Sequence, residues 1–544
     1  MEQPAKREKA WPAVKKNIED LPPEILTEIF KFVHAFSMAV LEATLECKAC
    51  PGSVYRDPKS RPRNLGHSTP RPQVTQREVV AFSSPLHAVS SVCHMWRDIT
   101  RRVPELWSRL AIFFNSDFPP RLSQVLKQIK LSGHVPLDIV VFHCYHHTGA
   151  EEPYLEARIE NSWMEALMPL LLPLIPRCRS FIIDMKYNTS LPGIFQFRGH
   201  APYLRVLKLQ CGFWDPDYDS YPSSPPAELS AEEVFTFPLL TTLALDGNTF
   251  RDAFNAPSWR HQLKTMVIDT LSISDPDKCS SYGYDDDDDD EHPFDLYALA
   301  SNLSNIAFIR TLTLNNINTP WRTGHHAKGV YQIHMDNLIV SRQLNEEYTE
   351  EFNLVTFGST LCYFHLYNGS LTWASLPPVH HLRLEWIDYM DTFEFRHAMT
   401  RFFGNRLDLF ECEGLSDELL LHIARHCEPL RRLYIKECPN ITVKGLKNMI
   451  AGRSCLVVSE EDDKEDGGDE EGYEDITGSD NESILECDAE ADELIEHAYS
   501  NDKQPPRGLS FRPIHRLVVA GHPEKLSKPD HKWFQDHIKS FHWK

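Results

Sequence analysis

The densest group of side chains able to bind a metal or move a proton is His143-Cys144-Tyr145-His146-His147. Three imidazoles and a thiol would suit zinc. Adjacent residues on a strand or loop rarely converge on one ion, however, and no acidic ligand stands at helical spacing within the cluster. Cys47 and Cys50 form a CxxC pair in a Pro- and Arg-rich stretch. No second CxxC or HxxxH follows at zinc-site spacing. The 13 cysteines are otherwise scattered singly through apolar stretches, where in a reducing compartment they act as small buried hydrophobes. The chain has no Gly-rich phosphate loop, dinucleotide fingerprint or serine nucleophile elbow. The expectation is a chain with no catalytic residues, no metal and no cofactor.

The elements that would position any site must come from 544 residues, enough for two to four cores. An apolar fraction of 42% is that of a globular protein. No apolar run approaches the roughly 18 to 20 residues of a membrane span. The charged start MEQPAKREKAWPAVKKN lacks the apolar core of a secretory signal. These features lead us to expect a soluble protein of the cytoplasm, the nucleus or both, without membrane partners. The net charge of −22 would suit a basic partner, but its location argues otherwise. Two tracts, Asp285 to Glu291 and Glu460 to Glu496, hold 26 acids against one lysine, so the remainder is nearly neutral. Such runs repel themselves and are expected to be solvated loops. No basic, aromatic-interleaved patch recommends nucleic acid.

The stretch Ile18 to Val33 reads as a helix start, with proline in the first turn and Asp20, Glu24 and Glu28 near the positive end of the dipole. Ile25, Leu26, Ile29, Phe30 and Val33 recur at helical spacing as one apolar face, and the pattern continues to Leu45. A second start stands at Ser83-Ser84-Pro85, followed by Val89, Val92, Cys93, Trp96, Ile99 and Val103 at spacings of three and four. Arg97, Arg101 and Arg102 gather where they complement the dipole, and Pro104 ends the helix before Leu106-Trp107. LPPEILTEIF followed by VSSVCHMWRDITRRVPELW resembles the F-box, in the form common in large fungal families. Leu-Pro-x-Glu-Ile-Leu, Val-Cys-x-x-Trp and Pro-x-Leu-Trp occur in the family's order. The sequence departs from the family in spacing, since about fifty residues lie between Val33 and Ser83, where a short loop is usual. The Pro- and Arg-rich segment at about 47–78 suits an extended linker.

Beyond Leu110 a short pattern recurs, two apolar residues three apart and another two further on. It appears at Leu204-Val206-Leu207-Leu209, at Leu240-Leu243-Leu245 with Asp246-Gly247-Asn248, at Ile309-Leu312-Leu314 with Asn316, and at Leu382-Leu384. Alternation suits a strand with one buried face, and the trailing asparagine suits a turn. The clearest repeat comes last. Leu407, Leu409, Cys412, Leu415 and Leu420 realign with Leu433, Ile435, Cys438, Ile441 and Leu446 at a shift of about 26 residues. Between them Ser416 caps a helix to Cys427. This resembles the cysteine-containing leucine-rich repeat often found behind F-boxes, in which Cys412 and Cys438 would be buried at the turn.

The expected fold class is therefore α/β: a short helical F-box, then an irregular leucine-rich repeat solenoid with acidic disordered insertions. The expected boundaries are a basic tail (1–17), the interrupted F-box (18–110) and a repeat region (111–457) with an acidic loop at about 276–292. An acidic segment (458–506) and a terminal strand with capping helix (507–544) follow, and Phe534, Ile538 and Phe541 are placed on that helix. The resemblance implies that Leu21, Pro22, Ile25, Leu26, Ile29, Val92, Cys93 and Trp96 pack against a Skp-family adaptor and, through it, a cullin. The chain would then be the receptor that brings an unknown protein substrate to a ubiquitin ligase. A scaffold working outside any ligase would carry the same residues, and a small-molecule sensor is a third class that nothing here requires. Tyr363, Trp386 and Tyr434 are candidate substrate contacts.

Overall fold

The computed structural model describes residues 18, 21–49, 85–114, 120–143, 153–213, 235–275, 296–317, 331–341, 360–368, 376–387, 395–396, 398–399, 402–458 and 513–544. The linker at 50–84, residues 144–147 of the histidine cluster and both acidic tracts lie outside them. The chain divides into two units, Met1–Ser359 and Thr360–Lys544.

The first unit opens with helix α1 (Pro23–Ala49), which runs unbroken past Leu45 into the first residues of the expected linker. The single helix expected after Pro85 is two, α2 (Pro85–Val92) and α3 (His94–Arg102). The break falls at Cys93, whose extended backbone and sulfur cap α3 by accepting from the Trp96 N–H. Pro104–Trp107 then form one 3-10 turn.

Alternating strands and returns follow: β1 (Arg109–Phe114), α4 (Leu122–Leu131), β2 (Leu137–His143), α5 (Pro153–Leu171), β3 (Cys178–Tyr187), β4 (Val206–Phe213), β5 (Thr242–Asp246), α6 (Gly247–Asn255), α7 (Pro257–Leu263), β6 (Val267–Ser274), α8 (Leu296–Ser304), β7 (Phe308–Asn315) and β8 (Met335–Ser341). Each strand pairs in parallel with the next in sequence. Parallel neighbours require a crossover, and here the strand order never reverses. The result is α/β layering compatible with a solenoid, and unlike a doubly wound sheet, whose strand order reverses. One ladder, Leu110–Ile139–Phe181–Leu207–Leu243–Leu271–Leu312–Leu338, is buried along its whole length. Asp246-Gly247-Asn248, expected as a turn, begins α6 instead. Asp246 caps that helix by accepting from the Asn248 and Thr249 N–H groups.

The second unit contains β9 (Leu361–Tyr367), β10 (Val379–Glu385), β11 (Arg406–Phe410), α9 (Asp417–His426), β12 (Arg432–Lys436), α10 (Val443–Val458), β13 (Arg516–Ala520), α11 (Lys528–His537) and β14 (Ser540–Trp543). These strands too pair in sequence order and in parallel. The 26-residue shift is the pairing register itself, with Leu407 opposite Leu433 and Leu409 opposite Ile435. The terminal element is corrected. After α11 the chain forms one more strand, so Phe541 lies on β14, and Ile538 is the residue that ends the helix.

Candidate functional site

Two surfaces carry the residues singled out above, one in each unit. In the first, α1, α3 and the 3-10 turn share a core of Leu26, Phe30, Trp96, Ile99, Leu106 and Trp107, against which Val89 of α2 packs. Phe30 meets Trp96 edge-on at 5.0 Å, and the Trp107 indole N–H donates to the Thr100 carbonyl at 2.8 Å. Arg97 fastens the α2–α3 corner by donating to the Ser90 carbonyl.

The apolar face expected on α1 proves to be two stripes. Leu26, Phe30 and the half-buried Val33 turn inward, while Ile25, Ile29, Phe32 and Phe36, at steps of four, three and four, form a second line. Ile25 is 48% exposed, Phe32 73% and Phe36 65%, and Val92 at the end of α2 is 56%. Of the eight expected contact residues, Pro22, Ile25 and Val92 are exposed, and Leu21, Ile29 and Cys93 are half-buried. Leu26 and Trp96 lie in the core, so they support this surface without forming it. Phe32 and Phe36 were missed. Their signal was in the sequence, because they continue the Ile25–Ile29 spacing by one and two further turns.

In the second unit the residues alternating with the leucine ladder form the open face. Two copies of one arrangement stand side by side. His365 on β9 pairs with Glu385 on β10 at 3.2 Å, and Arg383, two residues before that glutamate, donates to it at 2.9 Å. One strand on, His381 pairs with Asp408 at 2.9 Å, and Arg406 donates to both oxygens of Asp408 at 3.0 and 2.8 Å. Burial pushes the Glu385 and Asp408 carboxyls up. The partnering histidine and arginine outweigh it and hold both below the usual range. Burial lowers His365 despite its carboxylate, and raises the Tyr363 hydroxyl to about 12. Arg383 stacks over Phe410 at 4.2 Å, and Phe410 stacks on Tyr434 at 5.1 Å. Tyr363, Trp386 and Tyr434 are all partly exposed. Tyr363 and Tyr434 stand on this face, whereas Trp386 occupies the turn after β10. The repeated Arg-x-Glu and Arg-x-Asp triplets, 383–385 and 406–408, are the sequence signal that was passed over.

The histidine cluster resolves differently. Among the described residues no group of three or more His, Cys, Asp or Glu is arranged to hold a metal ion. His143 ends β2 buried between Glu156 and Glu160, one turn apart on α5. It bonds Glu160 closely and stands 3.4 Å from Glu156. Glu160 also accepts the Lys186 and Tyr187 N–H groups, and Lys186 completes the set through Glu156. His143 and Lys186 facing two carboxylates make a largely buried polar cluster that ties α5 to β2 and β3. Cys412 and Cys438 are buried at successive turns, their thiols directed at the carbonyls of Leu384 and Leu409 in the preceding strand. Among the described residues no helix is long and apolar enough to cross a membrane.

Neither a protein-family model nor a curated protein matches this chain.

Proposed function

We propose that the protein is an F-box-type substrate receptor of a cullin-based ubiquitin ligase, acting in the cytoplasm, the nucleus or both. The observation that carries the reading is the second apolar stripe on α1. The core of the helical module is already filled from the other side, yet Ile25, Phe32 and Phe36 remain exposed in line. Scattered exposed apolar residues are ordinary, but three large apolar side chains aligned on one helix face, with Ile29 between them packed on the core, mark a surface suited to burial against another chain. Its start at Ile25 on the LPPEILTEIF segment, from which it runs on to Phe32 and Phe36, makes a Skp-family adaptor the expected partner.

In this role the chain contributes position instead of chemistry. The helical module fixes one end to the adaptor, and the parallel strands hold a substrate beside the ubiquitin-carrying enzyme. The reaction is accelerated by effective concentration, which requires no acid, base or nucleophile here.

The test is affinity capture of the full chain from cells beside an Ile25→Asp/Phe32→Asp variant, with thermal unfolding of both. Both positions are exposed, so the variant is expected to fold; Trp96→Ala would instead remove the core. The wild type is expected to retain adaptor and cullin, and the variant to lose both with an unchanged melting temperature. Adaptor retained equally by the variant would sink the docking surface. Adaptor recovered without cullin would favour the scaffold reading.

A further inference from the structure

We propose that the open face of β10–β13 binds an acidic peptide, a run of aspartate or glutamate side chains laid across the strands along Arg406, Arg432 and Arg516. The proposal deepens the receptor reading by naming a substrate class, and for that role it rests on that reading. The binding itself needs no adaptor.

Arg406 stands directly opposite Arg432, and Arg432 directly opposite Arg516, on three adjacent strands. Neighbouring strands lie about 4.8 Å apart, so three guanidinium groups share a row about 10 Å long. Like charges directly opposite one another disfavour the pairing they sit on. Among the described residues this face relieves Arg406, through Asp408, but neither Arg432 nor Arg516. The open-face positions of β10 to β13 carry five Arg or Lys against two carboxylates, Glu385 and Asp408. Glu385 is taken up by Arg383 and His365, and Asp408 by Arg406 and His381. Arg432 and Arg516 are exposed and have no ion pair among the described residues.

The shape of the charge selects the ligand. The arginines form a line, and are not converging on one point as a single phosphate would require. Side chains on one side of an extended peptide recur about every 6.8 Å, so a row of this length meets two or three carboxylates. Beside the row, the half-buried Tyr434 offers an aromatic edge for the stems of those side chains, while Phe410, on which it stacks, already carries Arg383.

The test uses the full chain and a fluorescein-labelled Gly-Ser peptide carrying six consecutive Asp and Glu, followed by anisotropy at 50 and 200 mM salt. The acidic peptide is expected to bind at least tenfold tighter than its Asn/Gln counterpart. Arg432→Gln/Arg516→Gln is expected to weaken it at least tenfold and flatten the salt dependence, with a melting temperature that does not fall. Arg425→Gln/Lys444→Gln, exposed on α9 and α10, is expected to leave binding intact. Equal weakening by the two double variants, or no preference over the Asn/Gln peptide, would overturn the proposal and leave the row a solvated surface. Tighter binding of a neutral peptide bearing one phosphoserine would overturn it in favour of a point anion. Adaptor capture by Arg432→Gln/Arg516→Gln is expected to match wild type. Failure here therefore leaves the receptor reading standing, and failure of adaptor capture leaves peptide binding standing.

Discussion

His143 illustrates how the chain uses its chemistry-bearing side chains. Burial disfavours its charged form, but Glu156 and Glu160 outweigh that and raise its affinity for a proton. Burial likewise pushes Glu156 up, yet His143 and Lys186 draw it down to about 2. A carboxyl depressed on folding contributes stability that is fully present above its unfolded value of about 4.5 and lost as pH falls through its folded value. The urea midpoint is therefore expected to fall between pH 4.5 and pH 2. Glu156→Gln should flatten that window and cost roughly 3 kcal/mol at neutral pH. An unchanged acid limb in the variant would remove Glu156 from the account. Histidine behaves oppositely: raised on folding, His143 contributes below about 6.5, and that contribution is lost as pH rises through its folded value. None of this cluster was legible in the sequence around His143. The partners come from α5 and β3, and only the parallel pairing of β2 with β3 brings Lys186 near.

At the scale of elements, the repeat was half visible. The leucine spacing and the 26-residue shift follow from alternation on a strand, so they showed wherever two repeats shared a length. A second repeat was invisible because it lies in backbone conformation. Asn316, Asn368, Trp386, Glu411 and Glu437 each directly follow a strand with positive φ, as does Gly521 after β13. Each donates its N–H to the carbonyl at the end of the next strand, as from Glu411 to Lys436 and from Glu437 to Ala520. A left-handed residue costs about 1–2 kcal/mol for most types but glycine; asparagine, which tolerates it better, marks Asn316 and Asn368, whereas Trp386, Glu411 and Glu437 accept it with no residue signal. Gly521 is where that tolerance ends. An added Cβ would lie 2.6 Å from the Glu437 Cγ at φ +65. Gly521→Ala is expected to lower stability by about 1–2 kcal/mol in denaturant unfolding. A neutral result would mean that the turn relaxes. The same blindness explains two of the three elements misread, since neither the cap at Cys93 nor β14 is signalled by residue spacing.

For the molecule as a whole, the two units divide the proposed work. The helical module in the first presents apolar side chains, and the second presents a face of arginine, histidine and aromatic groups. Sequence order was enough to suggest the helical module, because its motif pieces are short and local. It could not say which apolar residues face out, since Ile25 and Leu26 are adjacent yet one is exposed and the other buried. That division is set by Trp96 and Trp107, 70 and more residues away. The central claim is that the outward stripe, and not the module's core, meets an adaptor. Amide hydrogen exchange of the full chain, with and without a purified Skp-family adaptor at saturating concentration, tests it most directly. The account predicts added protection in residues 21–36 and 85–93, absent in Ile25→Asp/Phe32→Asp. No change in those segments, or protection confined to β9–β14, would contradict it.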